Sequence, residues 1–539
     1  MANYSIGLDF GTLSVRGVLV DIETGEIAKS ATYTYPHGVM KALPDGKELP
    51  EDSAYAHPAD YMKGLQKVVG QLIKEETSVV AIGIDAPACS VIPLAANGSP
   101  LCFKSEFADR EHAYIKLSKH HSAETQAQRL SDVAKERGER FLADNGNSIP
   151  AQDFFPKVLE TFEQDREVYA ATSVFMDISE WLTLILTGKL IASQSIACFK
   201  RLYHPFRGYP SRDYFESVSA GFGSVLDKLK GKMLPVGSSA GQLHERTASL
   251  LGLPTNITIA APQIDTHTAV AAVGGRHSDM VCIMESDGVS LLCSHSDSGM
   301  DGICSSSAHS FLPDSYGHHG EQNAVADSFD WFADNCLPPE YHDKALEKEI
   351  SVQQYLCLLA AKLQAGESGL MALNWFDGTP TSKDSSLSAT LLGLTLSTKP
   401  EEIYRALLEG ALFNTRRIRD LYASHGHTIS RVFLGGTVAR ENKLFCQLLA
   451  DILGCDIQVC PEQNISALGS AILAAMAVDE YDNHKVLDAM HYRQMKDYSP
   501  DFKARETYDK LYAQYLRLSD IMSNYESPMR KIKEIKERV

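Results

Sequence analysis

The stretch Ile6-Gly7-Leu8-Asp9-Phe10-Gly11-Thr12-Leu13-Ser14-Val15-Arg16 constrains the chain more than any other. An apolar run ends in an acid and passes through Gly-Thr. It then resumes with a hydroxyl and an arginine on alternate residues, ahead of Val18, Leu19 and Val20. This pattern reads as two adjacent strands joined by a tight turn. Gly11 lacks a Cβ, so backbone N–H groups there can approach an anion closely. Thr12 and Ser14 add hydroxyl donors, and Arg16 either contributes positive charge or locks the hairpin. Asp9 repels a phosphate by itself. It makes sense beside one when a magnesium ion or its waters stand between them. The other reading is a strand end with a glycine turn and a buried salt bridge. The Gly-rich phosphate loop that ends in Gly-Lys-Ser/Thr does not occur in the chain.

The theme returns further on. Val79-Val80-Ala81-Ile82-Gly83-Ile84-Asp85 is a second apolar run with an acid at its tip. Before it, Tyr61 to Lys74 has helical spacing through Met62, Leu65, Val68, Val69 and Leu72. Such a succession describes an α/β unit with a ligand site at the strand ends. Ile257 to Ala261 runs into Pro262-Gln263-Ile264-Asp265-Thr266-His267, followed by small residues through Gly275. Asp265 then stands at a strand tip and a helix N-terminus, where a carboxylate serves equally as a general base or an N-cap. Met280 to Leu292 reads strand, turn, strand around Glu285-Ser286-Asp287-Gly288, an echo of the opening hairpin. Two units that each begin with a hairpin suggest an internal duplication with a cleft between the halves.

Other segments fill in this frame. Residues 105–145 read as a polar helix carrying a solvated His120-His121 pair, and Val168 to Leu186 as one or two helices around Trp181. Lys200, among Cys198, Phe199, Leu202 and Tyr203, either snorkels or is aimed at a ligand. Lys399 to Leu421 is a strong helix begun by Pro400-Glu401-Glu402. Val432 to Thr437 is a strand running into Gly435-Gly436, ahead of Asn442. The diglycine either seats the flat face of a nucleotide base or simply turns the chain into a helix. Near the end, Tyr508, Tyr512, Tyr515 and Tyr525 recur at helical spacing and read as core-facing.

The net charge of −18 argues against a nucleic-acid binder or a basic membrane-surface protein. The 11 cysteines are scattered without a Cys-x-x-Cys pair, which suits reduced thiols in a cytoplasmic protein better than disulfides or zinc. No signal peptide or apolar run of membrane-spanning length is visible. A chain of 539 residues is too long for one core, and a homodimer is a common assembly for such enzymes.

Taken together, these pieces resemble the FGGY family of carbohydrate kinases, and within it the ribulokinase branch. The carrying segments are Gly7 to Thr12, Lys119-His120-His121, Lys200 with Tyr203-His204, and Asp265-Thr266-His267. Gln322 to Trp331, Lys399 to Arg416, Gly435-Gly436 and Ala467-Leu468-Gly469 complete them. The resemblance implies an α/β fold of two duplicated actin/hexokinase-like (ribonuclease H-like) domains around a central cleft. Residues 1–262 would form the sugar-binding domain, 263–490 the nucleotide-binding domain, and 491–539 a helical segment packing back on the body. It implies ATP and Mg2+, with Asp265 as general base and Asp9 at the metal. Ala88, Lys200, Asp265 and His319 would hold the sugar. Gly11, Thr12, Ser14, Arg16, Ser286, Asp287, Gly288, Gly435, Gly436 and Asn442 would hold the nucleotide.

Departures from the family cluster in the expected cleft. Glu285-Ser286-Asp287 stands where the family has Gly-Thr-Ser, and an aspartate aimed at a γ-phosphate repels it. Asp287 could instead recruit a metal, or turn away and leave Gly288 to supply an N–H. His319 stands at a substrate-facing glutamate, with Glu321 two residues on. Asp85-Ala86-Pro87-Ala88-Cys89 has lost a polar residue, and Ser118 replaces a tryptophan. These changes leave a second reading open: a degenerate kinase that binds sugar or nucleotide as a sensor.

Overall fold

The computed structural model describes residues 2–74, 77–296, 305–379, 387–524 and 526–537. The first of its two large sheets contains β1 (Asn3–Phe10), β2 (Ser14–Asp21), β3 (Ile27–Thr34), β4 (Ser78–Ala86), β5 (Ser239–Gln242), β6 (Thr258–Ala260) and β7 (Gln263–Ile264). Its order is β5-β6-β4-β1-β2-β3, with β7 on the end of β4. The second contains β8 (Asp279–Met284), β9 (Gly288–Ser294), β10 (Ser305–Ala308), β11 (Tyr316–Gln322), β12 (Arg431–Gly435), β13 (Ile457–Val459) and β14 (Lys496–Tyr498). Its order is β10-β11-β9-β8-β12-β13-β14. In each sheet an antiparallel hairpin, β1–β2 or β8–β9, shares its first strand with a parallel partner, β4 or β12. The expected duplication is therefore present in the strand pairing itself.

The helices that position the cleft are α1 (Pro58–Leu72), α2 (Phe154–Gln164), α3 (Gln194–Lys200), α4 (Asp265–Ala272), α5 (Pro400–Ser424), α6 (Ile465–Met476) and α7 (Phe502–Ser523). Pro400 opens α5, and the Lys399 N–H donates to Glu402 at 2.7 Å, which fixes where the helix starts. Helix α6 is small or apolar all round and is buried over nearly its whole surface. It lies directly on β1 and β4 and crosses α4. A Cβ on Gly7 would overlap the Ala467 carbonyl oxygen, one on Gly83 the Ser470 carbonyl oxygen, and one on Gly469 the Thr268 carbonyl oxygen. One apolar cluster consequently takes residues from both sheets, from Val18 and Val20 through Ala269 and Ala471 to Val281 and Phe433.

Three segments differ from expectation. The polar stretch 105–145 is helical only over Glu124–Arg137 and Arg140–Asp144, and the histidine pair precedes both. His120 is fully buried, its Nε2 2.9 Å from Glu160 Oε2, so it is a satisfied core group and not a solvated one. Within 168–186 a short strand, Val174–Asp177, separates Arg166–Ala171 from Ile178–Thr187; four buried residues in an extended run carried too little periodicity to be seen. The C-terminal segment opens with β14 on the second sheet's edge before α7 turns Tyr508, Tyr512 and Tyr515 into the core. Tyr525 lies outside the described residues. Among the described residues no helix is long and apolar enough to cross a membrane.

Gly7→Ala drives a methyl group into the backbone of α6 and is expected to cost about 3 kcal/mol or more. Gly70→Ala, exposed on α1 with no atom within 4 Å of the added methyl, is expected to gain about 0.5–1 kcal/mol. Urea or thermal melts of the two variants compare these outcomes directly.

Candidate active site

Strand register gathers the acids. Asp9 pairs with Arg16 across the β1–β2 hairpin and with Asp85 across β1–β4. Gln263 and Ile264 pair with Asp85 and Ala86, so Asp265 emerges just beyond them as the first residue of α4. Asp9, Asp85 and Asp265 thus meet at the C-terminal tips of adjacent strands, with Arg16 opposite Asp9 at the start of β2. Asp265 does not act as a cap: the N-cap is Ile264, and the Asp265 carboxylate accepts from the adjacent Thr266 N–H, at 2.7 Å.

Crowding shifts these acids. Burial pushes the Asp265 carboxyl up to about 7, with Asp9 and Glu285 adding repulsion against the Thr266 N–H. Burial likewise raises Asp9 to about 6, opposed by Arg16 and by a hydrogen bond shared with Asp85. Asp85 is fully buried and lifted well above the carboxylate range by burial and by Asp9, and it accepts from the Ser470 hydroxyl of α6. A carboxyl poised near neutrality at a strand tip can accept a proton from a substrate hydroxyl. Asp9 and Asp85 offer hard oxygen donors that suit Mg2+. Among the described residues no three His, Cys, Asp or Glu side chains are arranged to chelate a metal by themselves.

The turn Gly11-Thr12-Leu13 closes the first hairpin, with Thr12 and Ser14 half-buried beside it. In the second hairpin, the Asp287 carboxylate is turned to the start of the helix Val325–Asn335. It accepts from the Ala324 N–H at 2.8 Å, while the Glu285 N–H donates to the Asp287 carbonyl. Gly288 belongs to the sheet, paired with Met284 and Gln322, and a Cβ there would crowd both side chains. Ser286 is half-buried at the tip.

At the other end, the Ala88–Cys89 turn is clamped. Asp177 accepts from the Cys89 and Ser90 N–H groups at 3.2 and 3.1 Å, and Lys157 Nζ donates to the Cys89 carbonyl at 2.8 Å. Cys89 has φ +62°, a conformation such a clamp can hold. Lys200 does not snorkel to the surface: its Nζ lies 3.2 Å from Glu321 Oε2 and 3.9 Å from Asp153 Oδ1. His319 is buried, its Nδ1 2.8 Å from His267 Nε2, so Glu321 and not His319 stands beside Lys200.

The diglycine has a local explanation. Gly436 is buried at φ +94°, and a Cβ on it would overlap the Met284 carbonyl oxygen; Gly435 packs between Ile283 and Ile465. Asn442 caps the helix Lys443–Leu453 by accepting from the Phe445 N–H at 2.9 Å. Asp85, Asp153, Lys157 and Asp177 were not singled out as site residues from sequence. Asp85 carried a signal, an acid at a strand tip; the other three carried none.

Asp287→Ala is expected to lose about 1 kcal/mol of stability with the Ala324 contact and to leave the Michaelis constant for ATP within threefold. A tenfold gain in kcat/KM would show instead that the carboxylate repels the phosphates.

Residues 4–274 match the N-terminal domain, and residues 293–478 the C-terminal domain, of the FGGY family of carbohydrate kinases. A ribulokinase from Anoxybacillus flavithermus is 34% identical, over 99% of this chain and 97% of its own. One from Bacillus licheniformis is 35% identical, over 97% and 98%. Among solved structures, a xylulose kinase from Rhodospirillum rubrum superposes with a TM-score of 0.75 at 22% identity, covering 96% of this chain and 98% of its own. A gluconate kinase from Lactobacillus acidophilus superposes with a TM-score of 0.78 at 18% identity, covering 97% and 99%. The fold is the two-domain actin/hexokinase-like α/β fold, and the chain belongs to the FGGY family of carbohydrate kinases.

Proposed function

We propose that this protein transfers the γ-phosphoryl group of ATP to a hydroxyl of L-ribulose or a related ketopentose or pentitol. The observation that carries the mechanism is the meeting of Asp9, Asp85 and Asp265 at adjacent strand tips, with Lys200 and the Ala88 turn beyond them. The sugar identity is drawn from relatives named ribulokinase.

The domain assigned to residues 1–262 carries the sugar end, and that assigned to 263–490 carries most of the nucleotide end; in the segment assigned to 491–539, α7 packs against α5 through Tyr508 and Ser519. Lys200 and the backbone at Ala88 orient the sugar so that its reacting hydroxyl reaches Asp265. That carboxylate takes the proton as the oxygen attacks the γ-phosphorus and the bond to the β–γ bridging oxygen breaks, releasing ADP. Donors at Gly11, Thr12, Ser14 and Arg16, with Ser286 opposite, bear on the phosphates, since phosphoryl transfer depends mainly on positioning and charge. Gly435, Gly436 and Asn442 shape the strand-to-helix turn against which the nucleoside rests. Magnesium, held through Asp9 and Asp85, would neutralise phosphate charge. Of the three changes that motivated the sensor reading, Asp287 is held by the Ala324 N–H and Glu321 stands two residues from the lost glutamate, while Glu285 remains beside Asp9 and Asp265; the relatives named ribulokinase support the kinase reading over the sensor.

A coupled ADP-release assay with ATP and magnesium across ketopentoses, aldopentoses and pentitols is expected to find sugar-dependent turnover. Asp265→Asn is expected to lose at least 10²–10⁴-fold of it. A flat panel from folded protein, or full activity in Asp265→Asn, would overturn the assignment. Because Asp265 works as a base only when ionised, kcat/KM is expected to fall about tenfold per pH unit below about 7. Removing this raised carboxylate relieves repulsion above pH 7, so Asp265→Asn is expected to melt roughly 2 °C higher at pH 8.

A further inference from the structure

A continuous line of polar groups runs from the core to the cleft. Ser195 Oγ lies 3.1 Å from His267 Nδ1, and His267 Nε2 lies 2.8 Å from His319 Nδ1. His319 Nε2 lies 3.7 Å from Glu321 Oε2, which lies 3.2 Å from Lys200 Nζ, with Asp153 at 3.9 Å on the far side. The inner part is sealed. His267 is nearly fully buried, with Phe199 and Phe311 rings at 4.8 and 4.5 Å, and the His319 side chain is 4% exposed. The line opens to solvent at Lys200 and Glu321, whose side chains are 15% and 20% exposed, while Asp153 is 5% exposed.

Three features make that opening a recognition point. His267 lies two residues beyond Asp265 on α4, so the line passes through the helix that carries Asp265. The Lys200 carbonyl lies 3.8 Å from Cys89 Sγ, which sets the lysine against the Ala88 turn. Glu321 and His319 share one face of β11, and the step between them moves the carboxylate by about 6.8 Å toward Gln322 and the second hairpin. The group that a ligand meets beside Lys200 is therefore the carboxylate of residue 321.

We infer that Glu321 is a specificity-determining residue for the sugar: with Lys200 it clamps neighbouring hydroxyls of a neutral ketose or polyol, and it disfavours sugar acids. The inference rests on the kinase reading above. An ammonium only donates and a carboxylate only accepts, so the pair matches a diol, whose hydroxyls do both. Asp153 faces Lys157 as well as Lys200, so the Glu321 carboxylate at the open end of the line is the charge that repels an anionic substrate. His319 supports Glu321 from beneath and does not touch the sugar.

The test compares wild type, Glu321→Gln, Lys200→Met and the charge-free pair Lys200→Met/Glu321→Gln on the best neutral sugar, its deoxy analogues and the matching aldonic acid. Glu321→Gln is expected to raise the sugar KM ten- to a hundredfold, as for loss of a charged hydrogen-bond partner. The Michaelis constant for ATP and kcat should stay within threefold, and the penalty for one deoxy analogue and for the aldonic acid should shrink. The double variant should show a higher sugar KM than Lys200→Met alone, and this holds the test open if Glu321→Gln folds poorly. An unchanged sugar KM in folded Glu321→Gln, or in the folded double variant relative to Lys200→Met, with wild type active, overturns this inference alone. So does a uniform loss of kcat on every sugar and analogue, which marks a structural role. A wild type inactive on all neutral sugars overturns the kinase reading and this inference with it.

Discussion

The structure depends on how closely α6 approaches the first sheet. Helix and strand ordinarily stand about 10 Å apart because side chains separate them. Here Gly7 and Gly83 remove the separating layer from β1 and β4, and Gly469 removes it between α6 and α4. The acids at the strand tips inherit this spacing. Ser470 of α6 can reach Asp85 only because the helix lies on the backbone of the strand that ends in Asp85. Asp265 is held near Asp9 because α4 is trapped against the same helix. The floor of the cleft is thus set by backbone contacts, which bend less than side-chain contacts and keep the catalytic spacing uniform.

That rigidity has an electrostatic consequence. Asp9, Asp85 and Asp265 face one another, with Glu285 contributing at longer range. A carboxylate whose folded pKa exceeds its unfolded value favours the fold only while it is protonated. For Asp265, with an ordinary value of 3.8 and a folded value of about 7, stability is fully present below about pH 4 and declines as pH rises to about 7. Above about pH 7 this contribution is lost. Under the proposed assignment, a base tuned to neutrality and a stably ionised aspartate are incompatible demands on one residue, and burial at the strand tips sides with the base.

Sequence patterns exposed most of this architecture because the site is built from strand tips. The acid after an apolar run at Asp9 and Asp85, and the small residues after Asp265, are local signals that survive without knowledge of packing. So was the duplication, since each hairpin is a short-range feature. What could not be read was long-range. His120 looked solvated because its partner Glu160 is forty residues away on α2. The strand Val174–Asp177 is buried on all sides and has no alternation to display. Gly436 and Asn442 have local roles that the sequence does not show, one packed on the Met284 backbone and the other capping a helix through the Phe445 N–H, and their contact with the nucleoside belongs to the proposal. Lys200 stood between two readings until Glu321 and Asp153 appeared beside it.

The departures from the family are best understood as rearranged charge. An aspartate in the second hairpin threatens phosphate binding only if its carboxylate faces the phosphates, and the Ala324 N–H draws it to the start of the next helix instead. A histidine at 319 removes a carboxylate from the sugar end only if none stands nearby, and Glu321 restores one on the same strand face. The substitutions at 287 and 319 look damaging at their own positions and consistent with catalysis once their neighbours are counted, whereas Glu285 adds repulsion at Asp9 and Asp265. What a phosphoryl-transfer site must preserve is the sign of charge at a few points in space. A strand can deliver that sign from either of two residues, provided that both lie on one face and the displaced side chain finds a partner in the core. His319 finds one in His267, and that contact lets the carboxylate stand two residues further along β11.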